Sequence, residues 1–203
     1  MLETPVRDRK AERRKATRDE ILDAAWELVR ANGLAALSLR DLAQVVGMKA
    51  PSLYSYFESK YAIYDAMFAQ GAEAYLDTDA TVPVTGDHLA DLQVGVRYFI
   101  EFCTSDPARY QLMFQRTIPG FEPSAETFAL AVEGLERLRT RLARADLTDQ
   151  RSLDLLTAIG SGIAAQQIAN DPGGDRWTRL VDEATEMYFL HVTSTTRTPR
   201  STT

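Results

Sequence analysis

Between Ser38 and Lys60 the chain reads SLRDLAQVVGMKAPSLYSYFESK, a stretch in which hydroxyl-bearing side chains gather beside an apolar pattern. Leu39, Leu42, Ala43 and Val46 follow the i, i+3, i+4, i+7 rhythm of a helix with one apolar face. Gly47 stands just past it, where a residue of positive φ ends a helix. A second helix is expected from about Ala50, with Pro51 in its first turn, where no backbone hydrogen bond is lost. It carries Leu53 and Phe57 inward and leaves Ser52, Tyr54, Ser55 and Tyr56 off that stripe. Hydroxyls donate to phosphate oxygens, and a short polar-faced helix after a Gly-containing turn is the helix-turn-helix pattern, whose second helix enters the DNA major groove.

Such a reader must be braced and carried. Thr17-Arg18-Asp19-Glu20 has the form of a capping box ahead of Ile21, Leu22, Ala25, Leu28 and Val29, so a bracing helix is expected from Thr17 to Asn32-Gly33. Ser38 to Asp41 repeats the pattern for the next helix. A long helix is expected from Ser59, then helices over 87–104, from Asp106-Pro107 to about Gln115, and over 124–144, 148–170 and 175–192. No strand-like alternation and no repeat is visible. The expectation is an all-α chain of about nine helices: an arm over 1–16, a helix-turn-helix domain over 17–60, a helical body over 61–194 and a disordered tail over 195–203.

The segment from Ser38 to Lys60 resembles the TetR family of bacterial transcriptional regulators, through Ser38, Leu39, Arg40, Leu42, Ala43, Val46, Gly47, Pro51, Ser52, Leu53, Tyr54, Tyr56, Phe57 and Lys60. The run LYSYFESK is similar to that family's LY-x-(H/Y)-F-x-x-K signature. The resemblance implies DNA contacts at Ser38, Arg40, Lys49, Ala50, Pro51, Ser52, Tyr54, Ser55, Tyr56 and Lys60. The chemistry agrees: Lys49, Ser52 and Ser55 can reach base edges, and Pro51 can meet a thymine methyl. The competing reading of Tyr54 and Tyr56 is half-buried packing.

Composition bounds the rest. Apolar content of 45% and charged content of 26% are those of a soluble globular protein. No apolar run approaches a bilayer span, no secretory signal is visible, and the one cysteine, Cys103, has no intrachain partner; a cytoplasmic protein is expected. Net charge is −6, which suits a DNA binder only once it is divided. Residues 1–60 hold eleven Lys/Arg against nine Asp/Glu, and the remainder twelve against twenty. That gives a weakly basic contact end and an acidic body that phosphate repels. Seven basic residues between Arg7 and Arg18 read as a solvated leader or as an arm that lies on DNA.

The middle of the chain is dense in large side chains, which fill a core or line a pocket between helices. The resemblance implies a pocket formed by residues 61–145. On it rest the expectation of a small hydrophobic effector and of ligand contacts from Tyr64, Met67, Phe68, Tyr98, Phe99, Phe102, Cys103, Tyr110, Met113, Phe114 and Phe128. Arg97 is a further candidate for a polar contact. DPARYQLMF and GSGIAAQQIAND are similar to a branch of the family named for a Trp-His-Gly motif, although Ser161-Gly162 stands where His-Gly is usual.

The helix over 148–170 is apolar on more than one side, and such a helix must be covered twice, by its own domain and by a partner. With the last helix it is expected to form a four-helix homodimer interface through Leu155, Ala158, Ile159, Gly162, Ile163, Gln166, Leu180, Ala184, Met187, Tyr188 and His191. Burial within one monomer is the competing reading. His88 and His191 sit in no metal-ligand pattern, and no nucleophile elbow, phosphate loop or Cys-x-x-Cys is present. No catalysis, metal or cofactor is expected. With that resemblance, the expectation is a TetR-like homodimeric repressor released from a pseudo-palindromic operator by its ligand. The alternative is a module of the same fold that binds DNA or protein without a ligand.

Overall fold

The computed structural model describes residues 9–196, with the side chains of 195 and 196 left aside; the rest of the expected arm and tail lies outside the described residues. Among these residues the chain forms nine α-helices and no strand. They are α1 (Arg9–Asn32), α2 (Leu39–Val45), α3 (Ala50–Leu53), α4 (Lys60–Ala80), α5 (His88–Ser105), α6 (Pro107–Phe114), α7 (Ala125–Ala143), α8 (Gln150–Asn170) and α9 (Val181–Thr196).

Local chemistry explains most of the starts. Ser38, Ser59, Asp87, Asp106, Ser124 and Asp149 each accept a hydrogen bond from the backbone N–H three residues on, opening α2 and α4 to α8. Each such cap is worth about 1 kcal/mol. Pro107 follows Asp106 at the first helical position, as the sequence indicates.

Two starts differ from expectation. Thr17 is not a cap: α1 already runs from Arg9, so residues 9–16 are helix and not an unstructured arm. Ala11, Glu12, Arg13, Arg14, Lys15 and Ala16 are helix formers with no breaker among them. The last helix begins at Val181 and not at Asp175, preceded by a 3₁₀ turn over Thr178–Leu180. Buried Gln167 on α8 holds that turn. Its Oε1 accepts from Trp177 N (2.9 Å) and Thr178 N (3.3 Å), and its Nε2 donates to Gly174 O (3.0 Å).

Two apolar cores are present. The first joins Ile21, Ala25 and Val29 of α1 to Leu42, Leu53 and Phe57, and continues through Ile63, Tyr64 and Met67 of α4 to Ala108 and Leu112 of α6. It therefore crosses residue 60 without a break. The second joins Leu92, Val96, Ile100 and Cys103 of α5 to Leu142, Leu153, Leu156, Val181, Tyr188 and Val192. Helix α4 packs on α5, α6 and α7, and α5 packs on α8 and α9.

Candidate nucleic-acid interface

The reader is built from α2, a tight turn and α3. Gly47 has φ +66°, the left-handed conformation that glycine adopts freely, and Met48 N then returns to Ala43 O at 2.8 Å. Leu53 and Phe57 are buried and fix the second element against α1. Helix α3 proper is a single turn, continued by hydrogen bonds from Ser55 N to Ser52 O and from Phe57 N to Leu53 O.

Most of the expected contact residues share the open side of this unit. Arg40, Lys49, Pro51, Ser52, Tyr54 and Ser55 are exposed, while Ser38, Ala50 and Tyr56 are half-buried. Tyr54 is 53% exposed, too open for a packing role. Tyr56 does pack: the Arg14 guanidinium lies over its ring at 5.0 Å. The Ser38 hydroxyl is engaged as the α2 cap, and the Ser55 hydroxyl donates to Ser52 O at 2.7 Å. Lys60 is turned inward, its Nζ donating to Ala35 O at 3.1 Å beside the Tyr64 ring, so a phosphate contact requires it to leave that carbonyl.

Sequence reasoning missed how α1 grips this unit. Arg14 Nη2 donates to Ser55 O and Arg18 Nη1 to Tyr56 O, both at 2.5 Å, and the Arg18 guanidinium stacks on Phe57 at 4.1 Å. Two of the basic residues first read as an arm thus clamp the reading element. The signal lay in the spacing, since Arg14 and Arg18 are one helical turn apart.

The body holds an apolar cavity of about 140 Å³ among α4, α5, α6, α7 and α8. Phe68, Phe99, Met113 and Phe114 line it. The other expected ligand residues lie outside its lining. Tyr64, Met67 and Cys103 are fully buried core, and the Tyr64 hydroxyl donates to Leu34 O. Phe102 packs beneath the Arg109 guanidinium, 3.8 Å away. Tyr110 is buried with its hydroxyl toward Ser161 O, Tyr98 is half-buried, and Phe128 faces outward at 52% exposure. Arg97 instead pairs with Asp182 at 2.9 Å on the surface.

Among the lining residues beyond the expected ligand contacts are Tyr75, Arg141 and three glycines. Gly95, Gly134 and Gly160 give their space to Arg141, Tyr75 and Phe99; a Cβ at Gly134 would stand 2.8 Å from the Tyr75 ring. Burial and the Asp79 carboxylate push the Tyr75 phenol up to about 12. Burial pushes the Cys103 thiol up to about 12 as well.

On α8 and α9 the expected interface residues divide. Tyr188 belongs to the interior, its hydroxyl donating to Ser152 O at 2.9 Å. Leu180 sits half-buried in the 3₁₀ turn, and Leu155, Ile159, Ile163 and Ala184 are half-buried. Ala158, Gly162, Gln166, Met187 and His191 are exposed, joined by Leu190, which was not anticipated. Nothing lies within 4 Å of where a Cβ on Gly162 would stand. Among the described residues no helix is long and apolar enough to cross a membrane.

Residues 21–67 match the bacterial regulatory proteins of the tetR family. The class D tetracycline repressor protein of Escherichia coli is 32% identical over 73 residues, which are 36% of this chain and 33% of that protein. The chain thus matches about a third of the length of its curated relatives. Among solved structures, the TetR family transcriptional regulator PfmR from Thermus thermophilus superposes with a TM-score of 0.66 at 20% identity, covering 85% of this chain and 98% of that one. A single-residue variant of TetR from Acinetobacter baumannii, in complex with minocycline, gives 0.58 at 20% identity, covering 89% and 98%. At these identities the two structures speak for the fold.

Proposed function

We propose that the chain, whose residues 21–67 match the tetR family of bacterial regulatory proteins, is a DNA-binding transcriptional regulator, a repressor released by a small ligand. The observation that carries the reading is the pairing of buried Leu53 and Phe57 with exposed Lys49, Pro51, Ser52, Tyr54 and Ser55 on one short element. The buried pair fixes the element, and the exposed set offers donors and an apolar contact to a groove.

In this reading the chain works in the cytoplasm as a homodimer and carries out no catalysis. The exposed face of α8 and α9 meets its copy, and the two α3 elements stand about 34–36 Å apart on a pseudo-palindrome. Contacts come from Ser38, Arg40, Lys49, Ala50, Pro51, Ser52, Tyr54, Ser55 and Tyr56. Lys60 joins them once it exchanges Ala35 O for a phosphate oxygen. A ligand in the cavity favours one spacing of the readers over another, which needs only a difference in affinity between the two states. Helix α4 is the shared part: Ile63 and Tyr64 lie in the core of the reader, while Phe68 and Tyr75 line the cavity.

Gel retardation with the DNA upstream of the protein's own gene tests the reading. A retarded band that sharpens at low salt and shows one site per dimer is expected. The absence of retardation at low salt, with or without added ligands, overturns it.

A further inference from the structure

Arg141 is the one charged side chain that lines the cavity, which has no acid and no histidine in its wall. Its Nη1 donates to Asp79 Oδ1 at 3.0 Å, and its remaining N–H groups have no acceptor among the described residues. The hydroxyls of Tyr75 and Ser161, also in the wall, make no hydrogen bond to a described residue. The uncommitted polar groups of this apolar chamber are therefore all able to donate.

We propose that the ligand is a compact hydrophobic carboxylate, one ring or short branched chain with a single carboxyl, its head on Arg141 and its body among Phe68, Val96, Phe99 and Leu156. This rests on the reading of the body as the sensing half of a regulator. The size follows from the cavity: about 140 Å³ is close to the space that accepts a benzene ring. The head group follows from the donors. A carboxylate offers four lone-pair positions and takes two parallel hydrogen bonds from a guanidinium, which a neutral amide cannot match. A cationic ligand would meet Arg141 with no acid in the wall to offset it.

The surrounding charges leave this choice intact. Asp79 lies behind Arg141, and Arg137 stands 3.9 Å from Asp79 and 2.6 Å from exposed Glu133. The four charges sum to zero, so the choice of a carboxylate rests on the N–H groups that Arg141 still offers to the chamber and not on a net positive charge. The Tyr75 phenol, pushed up to about 12, keeps its proton and remains a donor at neutral pH.

Benzoate, benzamide and benzylamine share one ring and differ in the head, so thermal shift and calorimetry on the full chain with these three compounds test the proposal. Benzoate should raise Tm with concentration and bind at least about tenfold more tightly than benzamide, with benzylamine weakest. Arg141→Gln should reduce benzoate to the level of benzamide. Should that variant unfold because Asp79 has lost its partner, the double variant Asp79→Asn/Arg141→Gln removes both charges and should give the same loss of preference. Equal or tighter binding of benzamide or benzylamine overturns the proposal. So does the absence of any shift with all three at millimolar concentration, or a preference that survives in the double variant. Gel retardation without ligand separates the two ideas: failure to bind DNA overturns the regulator reading, whereas a reversed head-group order with intact DNA binding overturns the carboxylate alone.

Discussion

Arg30 on α1 grips Asp106, the residue that caps α6: its Nε and Nη2 donate to the same carboxylate oxygen at 3.0 and 2.7 Å. The other oxygen of Asp106 accepts from Arg109 N at 3.1 Å. One buried carboxylate thus starts α6 and ties it to the helix that clamps the reader. Helix α6 also carries Met113 and Phe114 into the cavity wall. This gives the body a second connection to the reader, independent of the continuous α4.

Asp106→Ala should therefore cost both cap and tie, about 2 kcal/mol in urea unfolding, whereas Asp106→Asn keeps a capping oxygen and should cost about 1 kcal/mol or less. A double-mutant cycle with Arg30→Ala should give a coupling of about 0.5–1 kcal/mol. Arg30→Ala, which leaves the cap in place, should weaken the response of DNA binding to ligand more than it weakens DNA binding itself. Equal losses in both would show that α4 alone carries the signal.

Phe57 and Ser52 separate structure from reading. Phe57→Ala removes a buried ring from the reader core and should cost about 3–5 kcal/mol in denaturant unfolding. Ser52→Ala is on the open face and should leave stability within about 0.5 kcal/mol while lowering operator affinity.

Salt dependence reports which cations touch phosphate. Lys49→Gln should flatten the slope of log K against log salt by about 0.9 if Lys49 pairs with one phosphate, and should reduce the preference at one base pair if it reads a base edge. Lys60→Gln carries a second consequence, since it also frees Ala35 O; it should lower stability slightly along with affinity.

The starts at Ser38 and Asp106 were legible because capping is local chemistry: each residue sits three positions from the N–H group it satisfies. The turn at Gly47 was legible for the same reason. The cavity was not. Periodicity tells which side of a helix is apolar, but not whether that side meets another side chain or a void. Tyr64 and Phe68 lie one turn apart on α4 and both are buried in the same core, but of the two only Phe68 also lines the cavity. Tyr188 had the spacing of an interface residue and is interior, because its hydroxyl reaches a carbonyl thirty-six positions earlier.

Alkaline titration should expose the buried acids. The Cys103 thiol and Tyr75 phenol ionise near 12 in the folded chain and at their lower ordinary values in the unfolded one. The folded state then holds more protons, so the stabilisation is full below the unfolded values and is lost as pH rises from about 9 toward 12. Unfolding free energy measured across that range should decline. In the native protein at pH 8 a thiol reagent should react with Cys103 only at the rate of global opening.

Gly162 offers the cleanest test of assembly. With open space where its Cβ would lie, Gly162→Glu should leave the monomer folded, since helical glycine is the poorer choice by up to about 1 kcal/mol. Placed on the face proposed to meet a second copy, it should convert the protein to monomers in light scattering and abolish operator binding. A dimer that persists in this variant moves the interface elsewhere.

The side chains of the chamber wall sit where they do because atoms are missing beside them. Where Gly95, Gly134 and Gly160 face it, Arg141, Tyr75 and Phe99 occupy the places of absent methyl groups. The volume offered to a ligand can therefore be reset one carbon at a time from three backbone positions, none of them in the DNA-reading helices. On the proposed function, mutation at those positions resets what is sensed and not what is read, so a lineage of such chains acquires new inducers while keeping an old operator.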